Sequence, residues 1–342
     1  MFSRLKQLFK FGKSAPNNVP VARRDASASA GAESATAAAM HALFIEAVLD
    51  RDIVETALKV PEKLVGQAVE QQLRNPIQRA AAVPRLPTVI PQLLKQLRDP
   101  NASARDYVAI ITQDPVVATA VLRVANSVYF NPYRKALDNF ERAVAALGIV
   151  KLRMVLSTAA LQPVLLNRGD NLPQQIWDHS LACAICCQYL AEREGVDAFK
   201  AYLTGLVHDI GVVTIYNQTQ SLSREFLHGQ APSGTLLTQL FAQWAQLLAF
   251  WIAQDWKLPE EVVRALAEQS EAKQKTTLGQ ILLRSNRLCE AYHVFRAGKI
   301  ERETVERLVI ELQFPGKILE ILDSGFGEAD ARKLAINCKL TN

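Results

Sequence analysis

The pair His208-Asp209, inside Gly205-Leu206-Val207-His208-Asp209-Ile210-Gly211, joins an imidazole to a carboxylate, two side-chain types that commonly bind borderline divalent metals. Two ligands do not make a site, so a third group must come from another element. Gly211 marks an expected helix C-terminus near Asp209, where a carboxylate opposes the helix dipole by up to about 1 kcal/mol and needs a compensating partner. The same pair can serve packing alone, with His208 a satisfied core residue and Asp209 bonded to a neighbouring group. Upstream, His179 and Cys183 share one helical face and Cys186 and Cys187 follow closely. Structural zinc takes four ligands, usually partly from a second element, and no matching pair appears, so the cysteines are expected to pack between helices.

The elements that must position these residues read as helices throughout. Ile45, Leu49 and Ile53 lie on one stripe that Pro61 interrupts. Ser103 with Asp106 resembles a capping box, and Asp114-Pro115 opens a helix whose Val116, Val117, Ala120, Val121 and Val124 form one apolar face. Gly148 and Gly195 stand where C-terminal caps are expected. No alternating β-branched runs joined by Asn-Gly or Asp-Gly occur; only Gly211–Tyr216 is ambiguous. The fold class expected is all-α, with about a dozen helices. Asn126 and Ser127 with Tyr129, Phe130 and Tyr133 end a helix in an aromatic turn. That turn is a candidate recognition surface, or a loop whose Asn caps a helix while its rings cover the core.

Charge divides the chain unevenly. Of 39 Lys and Arg against 34 Asp and Glu, six basic and no acidic residues fall within 1–24, which leaves the rest one charge from neutral. A near-neutral body argues against nucleic acid as a partner. Phe2, Leu5 and Phe9 beside lysines give residues 1–13 a short, imperfect amphipathic stripe. Such a piece offers weak peripheral membrane contact at most, and a solubilising tail is the expectation. No uninterrupted apolar run approaches the ~18 residues of a span, and no secretory h-region follows the basic start. Five cysteines without a small-domain disulfide framework fit a cytoplasmic location. Residues 14–40, mostly Ala, Ser, Pro, Asn and Gly, read as a linker, although Thr36–Ala39 could begin a helix. Pro84, Pro87 and Pro91 suggest a boundary. The expected organisation is a basic tail and linker over 1–40, a helical arm over 41–82, a main helical domain over 83–292 and a helical extension over 293–342.

Leu86-Pro87, Gln113-Asp114-Pro115, Ala125-Asn126-Ser127, Ala143-Val144-Ala145-Ala146-Leu147-Gly148, Trp177-Asp178-His179-Ser180 and Gly205–Gly211 follow in that order. Together they resemble the HDOD family, the HD-related output domain of bacterial signalling proteins within the HD superfamily. The resemblance implies an all-helical output or scaffold module, usually without demonstrated catalysis. Catalytic HD phosphohydrolases use a His, the His-Asp doublet and a distant Asp to hold a metal. By resemblance His179, His208 and Asp209 match the first three, but Asn286 stands where the last aspartate is expected. An amide oxygen carries no charge, so a divalent ion loses one anionic partner. The histidines that HD-GYP phosphodiesterases of cyclic-di-GMP place downstream are also missing; near Trp256-Lys257-Leu258-Pro259 the positions read Gln243-Trp244-Ala245 and Gln269-Ser270.

The expectation is a non-catalytic signalling module with no resident cofactor, in which His179, His208, Asp209 and Asn286 form a vestigial polar cluster and an unidentified signalling protein or small ligand is the partner. Two alternatives stand beside it. One is a metal-dependent phosphohydrolase or phosphodiesterase acting on a nucleotide or cyclic dinucleotide, and the other an adaptor recruited to membranes by residues 1–13.

Overall fold

In a computed structural model of the chain, residues 30–324 are described apart from 54–55, 84–91, 93–94, 97–98, 100, 113–114, 134, 136, 167–170 and 272–273. The basic tail, the proline-marked boundary and Gln113-Asp114 lie outside the described residues. Everything described is helix or connection, with no strand among the described residues. The helices are α1 (Ala30–Leu49), α2 (Val60–Arg74), α3 (Pro76–Ala82), α4 (Ala104–Ile111), α5 (Pro115–Ala125), α6 (Phe140–Leu165), α7 (Asn171–Glu194), α8 (Ala198–Val207), α9 (Ile210–Phe226), α10 (Gly234–Asp255), α11 (Glu260–Ala267), α12 (Thr277–Arg296) and α13 (Arg302–Glu311). One 3-10 turn, Glu268–Ser270, joins α11 to the loop before α12.

Local chemistry sets the helix ends. The Ser103 amide and hydroxyl both donate to Asp106 Oδ2, at 2.8 and 2.7 Å, so the expected capping pair forms. Asp197, Ser233 and Thr276 accept from the first turns of α8, α10 and α12. Buried Glu268 takes the Lys275 and Thr276 amides, which sets a negative charge at the start of α12 where the dipole favours it. Gly195, at φ 70°, ends α7 as expected, and the Val196 amide reaches back to the Ala191 carbonyl. Gly148, at φ 69°, turns the chain inside α6 and splits it at a kink.

Three expectations need correction. The helix over Ile45–Ile53 stops at Leu49, because Asp50 adopts φ 52°, and Ile53 lies beyond it. The linker over 1–40 is already helical from Ala30, and α12 runs through the expected boundary at 292. Neither the arm nor the C-terminal segment is separate: Phe44, Val69, Val305 and Leu322 belong to the same core cluster as Cys183 and Leu206. Arg142–Val164 and Gly234–Asp255 are long and apolar enough by composition to cross a membrane, although polar or charged residues interrupt both. About half of each is buried against other helices, as in core helices that pass the same test.

The centre of the fold is α7, which packs against α8 and α12 and is crossed by α1. Two glycines set how closely helices approach there. A Cβ at Gly205 would lie 2.6 Å from backbone atoms of Ala184 on α7, and one at Gly211 would lie 1.9 Å from the Ala245 carbonyl oxygen on α10. Backbone cannot yield as a flexible side chain does, so both substitutions force helices apart. Gly211→Ala and Gly205→Ala are each expected to lower stability by roughly 1–3 kcal/mol or more, measured by urea unfolding. Gly316→Ala, with nothing within 4 Å of the added carbon, is expected to stay within about 0.5 kcal/mol.

Candidate polar and metal-ligand site

The His-Asp doublet forms the corner between two helices. α8 ends at Val207, His208 is its C-cap and Asp209 is the residue preceding α9. Asp209 therefore stands at a helix N-terminus, and Gly211 lies in the first turn of α9 rather than at a stop. Asp209 thus follows the C-terminus of α8, as expected, and also precedes α9, whose dipole favours its carboxylate while that of α8 opposes it. Its side chain nonetheless makes no capping bond. It turns instead toward the imidazoles, with Oδ2 3.3 Å from His208 Nε2 and 3.5 Å from His179 Nε2.

α7 brings in His179 and α12 brings in Asn286, so all four residues of the expected cluster meet. Asn286 Oδ1 lies 2.9 Å from His179 Nε2 and 3.1 Å from His208 Nε2. Ligand atoms of His179, His208 and Asp209 all fall within 4.8 Å of one another. Both imidazoles are buried, while the Asp209 side chain keeps 17% exposure at the rim.

Hydrogen-bond polarity constrains the protons. Asn286 Nδ2 donates to Glu290 Oε1 at 3.2 Å, which orients the amide so that its oxygen faces the histidines. His208 Nδ1 is 2.8 Å from the Gly205 carbonyl and must carry a proton to donate to it. Its Nε2 then confronts two oxygens, those of Asn286 and Asp209. Either a second proton or a cation satisfies that arrangement. His179 can donate Nε2–H to Asn286 and leave Nδ1 as a lone pair; Nδ1 has no hydrogen-bond partner among the described residues.

Several contributors had weak signals in the sequence or none. Glu290 lies one helical turn after Asn286, a spacing that could have exposed it. His41 and Phe44 on α1 could not be found this way. His41 Nδ1 is 2.8 Å from Glu290 Oε1 across 249 positions, and the Phe44 ring lies 4.4 Å, centroid to centroid, from His179. Cys289 was also missed: its sulfur is 3.6 Å from that of Cys186. Burial pushes the Cys183 and Cys186 thiols well above their ordinary range, which makes them unreactive packing groups.

The aromatic turn divides. Phe130 is buried, the Tyr129 hydroxyl donates to Gln188 Oε1 on α7 at 2.5 Å, and Tyr133 and Ser127 are exposed. Asn126 ties the turn together, donating to the Leu122 and Leu137 carbonyls and accepting from the Leu137 amide.

Burial first, then the neighbouring His208 and His293, hold His179 well below the usual imidazole range. The unfolded chain binds a proton at this residue near pH 6.5 that the folded chain does not, so stability falls as pH drops below that value. The loss approaches about 1.4 kcal/mol per pH unit until the folded group titrates. Urea unfolding between pH 7 and pH 5 is expected to show this slope, and His179→Gln to reduce it.

Residues 83–272 match the family model described as the HDOD domain. Over 226 residues the chain is 26% identical to an uncharacterized protein of Treponema pallidum (strain Nichols), covering 64% of this chain and 44% of that protein. The chain thus spans less than half the length of this curated relative. An HDOD domain protein with unknown function from Geobacter sulfurreducens superposes with a TM-score of 0.53 at 22% identity, over 75% of this chain and 98% of the other. A candidate phosphohydrolase from Shewanella amazonensis SB2B gives 0.55 at 24% identity, over 72% and 92%. These likenesses show the fold. Asn286 and Glu290 lie beyond the matched residues.

Proposed function

The chain belongs to the HDOD domain family, and from that premise we propose that it is a non-catalytic output or scaffold module of signal transduction, binding a partner protein or small ligand through its helical core. The reading includes a cytoplasmic location and no resident cofactor. The Asn286 amide supports it best: its oxygen lies within hydrogen-bond distance of both imidazole Nε2 atoms. With those nitrogens protonated, the atoms a hydrolase needs for a metal are engaged with one another, and Asn286 supplies no anionic charge. The interior so formed is a polar joint between α7, α8 and α12, which responds when a bound partner shifts any of the three helices.

A second reading, a metal-dependent phosphohydrolase, is favoured by the convergence of His179, His208 and Asp209. These donors fit a divalent cation, and the His208 Nδ1 bond to a backbone carbonyl resembles the outer support that metal-bound histidines receive. His179, His208 and Asp209 would hold the ion, with the Asn286 oxygen facing the same point. The chemistry a bound divalent ion supplies is polarisation of a phosphoryl oxygen and activation of water. Against this reading, His179 Nδ1 lacks an outer partner and Phe44 covers His179.

Metal analysis and turnover separate the two readings. The full chain, purified without chelators and assayed with Mn²⁺ or Mg²⁺ on cyclic-di-GMP and bis(p-nitrophenyl) phosphate, is expected to carry no stoichiometric metal. Its turnover is expected to match that of His208→Ala. A stoichiometric metal and phosphodiesterase turnover, both lost in His208→Ala, would establish the enzyme instead.

A further inference from the structure

α1 lies outside the matched HDOD residues, yet its Phe44 packs on His179 of the polar cluster. Phe44 is 1% exposed, and its ring stands 4.4 Å from His179 and 5.4 Å, edge-on, from His293. Phe44 thus packs on the His179 face of the cluster. We propose that α1 is an intramolecular plug over the His179–Asp209 cluster, and that its release, turning at Asp50, is the conformational change by which the cluster becomes accessible. The inference rests on the output-module reading and names the regulation of that same site.

Three observations support a plug over a permanent core helix. Its polar fastenings lie at the edge of the seat: His41, half exposed, meets Glu290, and Glu46 meets Lys299 at 2.8 Å. Lys299 also reaches Asp52 at 3.5 Å, just beyond the helix. Asp50 holds a left-handed φ of 52° in a non-glycine residue, and no regular element occurs between Leu49 and Val60 among the described residues. Conformational strain and the absence of neighbouring helix make this the natural point of bending. The buried face of α1 is also small. Phe44, Ile45, Val48 and Leu49 are its large buried side chains, whereas α7 buries a run from Leu172 to Ala191. Elements with less buried apolar contact open at lower free energy than the global transition.

Native-state hydrogen exchange of the full chain under low denaturant, read by peptide, tests the proposal. Residues 36–49 are expected to exchange through an opening that leaves 176–191 protected. Diethyl pyrocarbonate is expected to label His179, whose Nδ1 has no partner among the described residues, only as fast as α1 opens. In Phe44→Ala both rates are expected to rise by roughly a hundred- to a thousandfold, the scale of losing a buried ring, while 176–191 still exchanges more slowly than 36–49, through the global transition. Exchange of 36–49 together with 176–191 through one global unfolding would overturn the plug, as would faster exchange in Phe44→Ala without added His179 labelling. The wild-type exchange decides the matter even where the variant fails to fold. A failed plug leaves the output-module reading intact, and phosphodiesterase turnover with a working plug would sink that reading and leave α1 as the gate of an enzyme.

Discussion

The oxygen of Asn286 offers two lone pairs to two buried imidazoles, and much of the interior is arranged so that it can do so. Glu290 takes the amide nitrogen and thereby prevents the flip that would aim N–H groups at the histidines. His41 in turn meets the same Glu290 oxygen from α1. Three elements, α7, α8 and α12, are therefore bound to one polar point with α1 joined at its edge, and an error in any of the three leaves a buried group unpaired at a cost of about 1–3 kcal/mol.

The helix corner at His208-Asp209 makes that point reachable. With only two residues between α8 and α9, the doublet cannot be displaced without moving both helices, and Gly205 and Gly211 let those helices come into backbone contact with α7 and α10. The glycines flanking the doublet serve proximity, while His208 and Asp209 supply the polarity. The same seven residues thus fix distance and chemistry together.

The helical class, the Ser103 cap and the stop at Gly195 were legible because each depends on neighbours a few positions away. The four cluster residues were also legible, through a pattern of motifs whose order is more specific than any one. The helix end near Asp209 was legible, but the new helix that starts at Ile210 was not, because a one-corner break leaves no compositional mark and the glycine read as a stop was present for packing. Phe44, His41 and Cys289 were not legible: their partners are far along the chain, and nothing local to Phe44 distinguishes a ring that covers a histidine from one that fills an ordinary core.

The separation between His41 and Glu290 also bears on how the protein is made. With 249 positions between them, α1 leaves the ribosome long before α12 exists to receive it. At synthesis rates of about 5–20 residues per second, its apolar face waits roughly 12–50 s without its seat. For that interval Phe44, Ile45 and Val48 form a nascent hydrophobic segment of the kind that chaperones hold, and the core closes at its first helix only when nearly the last of the described helices has been built.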